Sequence, residues 1–340
     1  MKTTTDLLSE VLGASSLSEL PEAAGKKPKR VFLIYARQIH PDLFLDADEK
    51  AKATKAFAHL TRLRDLGSGK TSPTAAAKNK IKTKRHEYQL KDVVAETDTF
   101  LKYHVEYDAG HAYAQMAILK NPKDSDLADA HVSALKQLND VPDKYSIYFP
   151  DLVESFRYRD ASSTDRTVVV THGNEVGFRP MSDILKVYPD GISGRDVAWM
   201  FRRMLVAIGN AHDVGLVNGA PTLDAFLIHD AMHGIILTDW EYSVEKGQPL
   251  KAVPSEYRWA YPESVFKKEP ATYALDIYVV SKMAEKLLAK TEPKQLTAFF
   301  KGCRLANVPT APKLLAEFDA LLDRLYGKRT FHEFTLEKEK

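Results

Sequence analysis

Apolar residues recur at helical spacing in two stretches near the N-terminus. Over residues 26–39 the stripe is Val31, Ile34, Tyr35 and Ile39; over 48–66 it is Ala53, Ala56, Phe57, Leu60 and Leu63. Lys50, Lys52, Lys55, Arg62 and Arg64 surround the second stripe and make that helix amphipathic. Pro41 ends the first helix, because the residue before a proline is pushed out of the α region. A shorter helix is expected over 6–13, closing at Gly13. From residue 86 the texture changes to alternation with β-branched and aromatic residues. Strands are expected over 86–94, 99–107 and 112–120, with a turn at Gly110, and again near 146–149, 152–158 and 166–171. A helix over 125–138 places Leu127, Ala130, Ala134, Leu135 and Leu138 on one face. The remainder reads as helical at 181–187, 194–214, 274–288, 294–304 and 313–326, with a strand pair at 225–228 and 234–239.

Composition narrows the class. At 340 residues, two domains or three small ones are expected, and an apolar fraction of 44% suffices for packed cores. No run is long enough to span a membrane, and no signal-peptide pattern opens the chain. The single cysteine, Cys303, excludes an intramolecular disulfide and suits a reducing cytoplasm, the expected location. A net charge of +2 argues against nucleic acid as a partner for the whole molecule. Positive charge gathers instead at residues 26–37 and at Lys70, Lys78, Lys80, Lys82, Lys84 and Arg85. The second strip lies among Ser, Thr, Ala and Gly and reads as a solvated linker, with a polyanion-binding adaptor as a further alternative. Gly69-Lys70-Thr71 imitates the end of a phosphate-binding loop, but the first glycine of that motif would be Arg64 and a helix precedes it.

His40-Pro41-Asp42 falls in the loop between the two basic helices. Helices so joined resemble a J-domain, the module through which DnaJ-type co-chaperones act on DnaK-type chaperone ATPases. The resemblance covers residues 1–67 and implies contact with the chaperone through His40, Pro41 and Asp42, with Lys27, Arg30 and Arg37 supplying positive surface. A positive stripe raises the encounter rate and sets orientation, while the loop gives the specific contact.

A strand-rich lobe with one helix, followed by a helical lobe, resembles the protein kinase fold over about 86–330. Ala117-Ile-Leu-Lys120 is similar to the third-strand Val-Ala-Ile-Lys motif. Asp239-Trp240-Glu241 stands where Asp-Phe-Gly would hold metal, Tyr261-Pro-Glu263 where Ala-Pro-Glu would close the activation segment, and Asp276 where a buried aspartate opens the central helix. The departures bear on chemistry. Counting back from Ala225-Phe-Leu-Ile228 places Asn218, Gly219 and Ala220 at His-Arg-Asp, and Ala225 at the metal-binding asparagine. His131 takes the place of the lysine-pairing glutamate, and residues 94–99, with Glu96 and Asp98, contain no glycine to cradle phosphates. A missing base alone costs about 10²–10⁴-fold in rate.

The expected fold class is therefore α+β multidomain: a J-domain helical hairpin (1–67), a basic linker (68–85), a β-rich small lobe (86–171), an α-helical large lobe (172–330) and a tail (331–340). The expected role is a co-chaperone or adaptor whose catalytically impaired kinase-like half holds an unidentified protein client. No cofactor is required on this reading. Of the residues that hold Mg·ATP in such folds, the resemblance leaves Lys120 and Asp239, with Asp239 as metal ligand. The enzymatic alternative is an atypical ATP-dependent Ser/Thr kinase that recruits another base, such as Asp224 or Glu241.

Overall fold

The computed structural model describes residues 4–39 except 15 and 27, helical positions at 49, 52, 53, 56, 59, 60 and 63, and residues 80–336 except 108–111, 141–146, 161, 173–177, 231, 306 and 329–331. The chain divides into two compact units, one holding the residues up to Ala77 and the other most of the remainder.

In the N-terminal unit, α1 (Thr4–Gly13) and α2 (Pro28–Ile39) are joined through two 3-10 turns, Leu17–Glu19 and Pro21–Ala23. Pro28 opens α2, the helical position where a missing N–H removes no hydrogen bond. Val11, Tyr35, Ile39, Ala53, Ala56 and Leu60 are fully buried and share one core with Leu8, Leu17 and Leu20. The two apolar stripes read from the sequence thus pack into one core. His59 adds a polar tie, donating from Nε2 to the Ala14 carbonyl at 2.8 Å. Arg30 is exposed on α2. His40, Pro41, Asp42 and Lys27 lie outside the described residues, as does the side chain of Arg37.

The second unit opens with a six-stranded sheet in the order β1-β2-β3-β4-β6-β5. Its strands are β1 (Lys80–Lys82), β2 (Glu87–Glu96), β3 (Phe100–Tyr107), β4 (Ala112–Leu119), β5 (Asp151–Arg159) and β6 (Asp165–His172). The β3–β4 register is regular from Phe100↔Leu119 to Tyr107↔Ala112, whereas β2 slips against β3 between Leu90 and Ala95. Helix α3 (Ser125–Asn139) follows β4 and buries Leu127, Ala134, Leu135 and Leu138. Two expectations need correction. Lys80–Lys82 is a strand inside the segment read as linker, because Ile81 is buried between two exposed lysines, an alternation too short to register. Residues 147–149 form a turn rather than a strand. Tyr148 and Phe149 are apolar because the turn delivers them to the core.

The large lobe is built on α5 (Gly194–Asp213), preceded by the short β7 (Arg179–Pro180) and α4 (Asp183–Val187). Ser193 caps α5 by accepting the Asp196 N–H, satisfying one of the donors left open at a helix start. Phe201 meets Phe300 and Phe318 edge to face at 5.0 and 4.9 Å, locking α5 against α8 (Lys294–Gly302) and α9 (Ala311–Tyr326). Between them run β8 (Leu216–Val217), β9 (Phe226–His229), β10 (Gly234–Leu237), β11 (Val244–Glu245), α6 (Glu263–Phe266) and α7 (Tyr273–Leu287). Among the described residues no helix is long and apolar enough to cross a membrane.

Candidate functional site

The loop between β8 and β9 is held by one carboxylate. Asp276, fully buried on α7, accepts the backbone N–H groups of Asn218 (2.8 Å) and Gly219 (2.9 Å) and the His212 Nε2–H (3.0 Å). His212 in turn stacks on Tyr273 at 4.3 Å. Gly219 has φ +78, and a Cβ there would lie 2.6 Å from the Tyr242 carbonyl oxygen, so the position requires glycine. Its own carbonyl accepts the Tyr261 hydroxyl at 2.9 Å. Asn218 bridges loop and turn, donating from Nδ2 to the Asp239 carbonyl and accepting the Ala220 N–H. These bonds fix the backbone of the loop. Ala220 within it and Ala225 just before β9 are each 1% exposed.

Opposite the frame lies a buried charge cluster. Lys102 Nζ of β3 is 2.5 Å from Asp239 Oδ1, which also accepts the Thr238 hydroxyl at 3.0 Å. Both partners are nearly sealed, with side chains 8% and 11% exposed. Burial acts to lower the Lys102 pKa, but Asp239 and Glu241 outweigh it and hold the ammonium charged above its ordinary value of 10.5. The lysine against Asp239 is therefore Lys102; Lys120 is half-buried just beyond the last residue of β4. His131 of α3 also reaches this turn. Its Nδ1 accepts the Trp240 N–H at 3.2 Å and lies 3.5 Å from Glu241 Oε2. Trp240 is fully buried, donates Nε1–H to Leu237 and packs edge to face on Phe149. The Glu241 carboxylate is enclosed, with neither oxygen accepting a hydrogen bond among the described residues.

The β2–β3 turn, which covers phosphates in a kinase fold, is fastened down. Asp98 accepts the Ser255 N–H at 2.6 Å and its hydroxyl at 2.9 Å, and Thr99 meets the Tyr242 hydroxyl at 3.3 Å. Burial and the neighbouring Glu241 push the Tyr242 pKa far up, so this hydroxyl stays protonated. Lys102, three residues on from Thr99, adds the third tie.

Asp239 is ion-paired with Lys102, Ala225 carries only a methyl group, and no group of three His, Cys, Asp or Glu able to hold a metal occurs among the described residues. Asp224 accepts the Ser182 hydroxyl and, at 2.9 Å, the Tyr257 hydroxyl, while Glu241 is sealed from solvent. Hydrogen bonds link Asn218, Ala220, Ala225 and His131 around the turn that carries Asp239. The structure adds Lys102, which sequence reasoning missed. The available signal was a lone lysine among Phe100, Leu101, Tyr103 and Val105, a run otherwise destined for the core.

No protein-family model matches the sequence, and no curated protein matches it. Solved structures do. The BubR1 kinase domain is similar with 11% identity and a TM-score of 0.53, over 72% of this chain and 83% of that one. Vaccinia related kinase 3 is similar with 12% identity and a TM-score of 0.57, over 72% of this chain and 90% of that one. Likeness at this identity establishes the fold, and the larger unit of this chain is a bilobal protein-kinase-like domain.

Proposed function

We propose that this protein is an adaptor of the J-domain type. Its N-terminal helices present His40-Pro41-Asp42 to a DnaK-type chaperone ATPase, and its kinase-like domain holds a protein client without transferring phosphate. One observation carries the second half of this reading: Asp276 fixes the loop at Asn218 and Gly219, yet Ala220 and Ala225, where the resemblance would place the catalytic aspartate and the metal-binding asparagine, carry only methyl groups. A scaffold preserved without its reactive groups serves binding. For the first half, the support is that α2 ends at Ile39 and that residues on both sides of the tripeptide, Tyr35 and Ile39 before it and Ala53 and Leu60 after it, enter one core. That pairing suits a helical hairpin with His40 in its connecting loop. The basic strip supports a polyanion role less well, since Lys80 is already paired with Glu87 at 3.0 Å.

Affinity capture from cytoplasmic extract, run with wild type and His40→Gln side by side, tests the reading. The chaperone should be recovered with wild type in the presence of ATP and lost with the variant, while the client stays with both. Equal chaperone recovery would contradict it.

A further inference from the structure

A cavity in the large lobe, away from the cluster around Asp239 and Asp276, has a volume of about 380 Å³, within the size range of small-molecule sites. It lies between the first turns of α5, the end of α9 and His332. We propose that it binds a small organic anion, with an apolar body against Trp199 and Leu322 and a phosphate or carboxylate end held by Arg195, Lys328 and the Trp199 indole N–H.

Three independent observations support this. Trp199 is 9% exposed, and its Nε1–H meets no acceptor among the described residues. Buried donors are almost always satisfied, so this one calls for an acceptor in the cavity that it lines. The indole is also fixed in place: His233 stacks on it at 4.1 Å with planes 4° apart. His233 itself is set by the turn between β9 and β10, where its N–H bonds the Asp230 carbonyl and its φ is +51. Charge supplies the third observation. Arg202 is committed to Asp319 at 2.6 Å and His332 to Asp196 at 3.1 Å. Arg195 and Lys328 make no ion pair among the described residues, and only Asp323 opposes them in the lining. Arg195 sits 4.6 Å over the Tyr326 ring, which holds its guanidinium at the rim. The positive end of the α5 dipole acts in the same direction.

Titration of the full chain with 1-naphthyl phosphate, 1-naphthoate, 1-naphthol and inorganic phosphate, followed by the indole proton resonance of Trp199, tests the site. At least one naphthyl anion should bind and shift that resonance downfield, and the better of the two identifies the headgroup. Naphthol and inorganic phosphate should bind about tenfold more weakly or worse. Arg195→Ala/Lys328→Ala, which changes two exposed side chains, should weaken the anion about tenfold, and Trp199→Phe should weaken it with the melting temperature as a control for folding. Failure of both naphthyl anions to bind, or unchanged affinity in the double variant, would overturn the proposal.

Discussion

Lys102→Met is expected to destabilise the kinase-like unit by about 3–5 kcal/mol, the range found when one partner of a buried ion pair is removed. The reason lies in what remains. Asp239 is 8% exposed and Glu241 1%, and without the ammonium both carboxylates stay in a low-dielectric site with no counter-charge. For a domain of this size the melting temperature should fall on the order of 10 °C. Asp239→Asn alone should also destabilise, and the double variant should lose much less than the sum of the two, since each single change removes the same interaction. The dependence on pH follows from the direction of the shift. The folded-state pKa of Lys102 lies above its ordinary value of 10.5, so the stabilisation is fully present below 10.5 and is lost as pH rises through the higher folded value. The difference between wild type and Lys102→Met should therefore stay flat through neutral and mildly alkaline pH and shrink only beyond it. Calorimetric melting of the variants measures this, and a Lys102→Met protein melting within 1–2 °C of wild type would remove the pair as a structural element.

His40→Gln is expected to bring the single-turnover ATPase rate of a DnaK-type chaperone down from the stimulated value to the chaperone's own. The far-ultraviolet circular dichroism should not change, because the helices are held by the core of Leu8, Val11, Tyr35, Ile39, Ala53 and Leu60. Arg30→Ala should act differently. Removing an exposed charge from α2 slows encounter rather than abolishing the specific contact, so its effect should be partial and should fade as salt is raised. Full stimulation by His40→Gln would remove the co-chaperone half of the reading.

Much of the architecture was legible because it is written in periodicity. The strands at 87–96, 100–107 and 112–119 and the helix Ser125–Asn139 follow from alternation and from a 3.6-residue stripe. Asp276 was legible as a buried aspartate in the first turn of the helix Tyr273–Leu287, but its hydrogen bonds to Asn218 and Gly219 join residues 58 and 57 positions apart and leave no sequence signal. Lys102 escaped because a motif locates a residue along the chain, whereas an ion pair forms in space. Lys102 pairs in register with Ala117, the first residue of Ala117-Ile-Leu-Lys120, across the sheet. The two hydrogen bonds of Asp98 to Ser255 span 157 residues and leave no local trace. The same holds for the cavity, where Arg195 and Tyr326 meet only because α5 and α9 pack together.

The most direct test of the central claim follows the γ-phosphate of labelled ATP in a single mixture of this protein, a DnaK-type chaperone and generic Ser/Thr acceptors. If the molecule works by contact, label leaves as inorganic phosphate at a rate raised by wild type and not by His40→Gln, and none appears on protein beyond the chaperone's own background. Label on this protein or on the acceptors, abolished by Asp239→Asn, would show that the cleft transfers phosphate and would contradict the account.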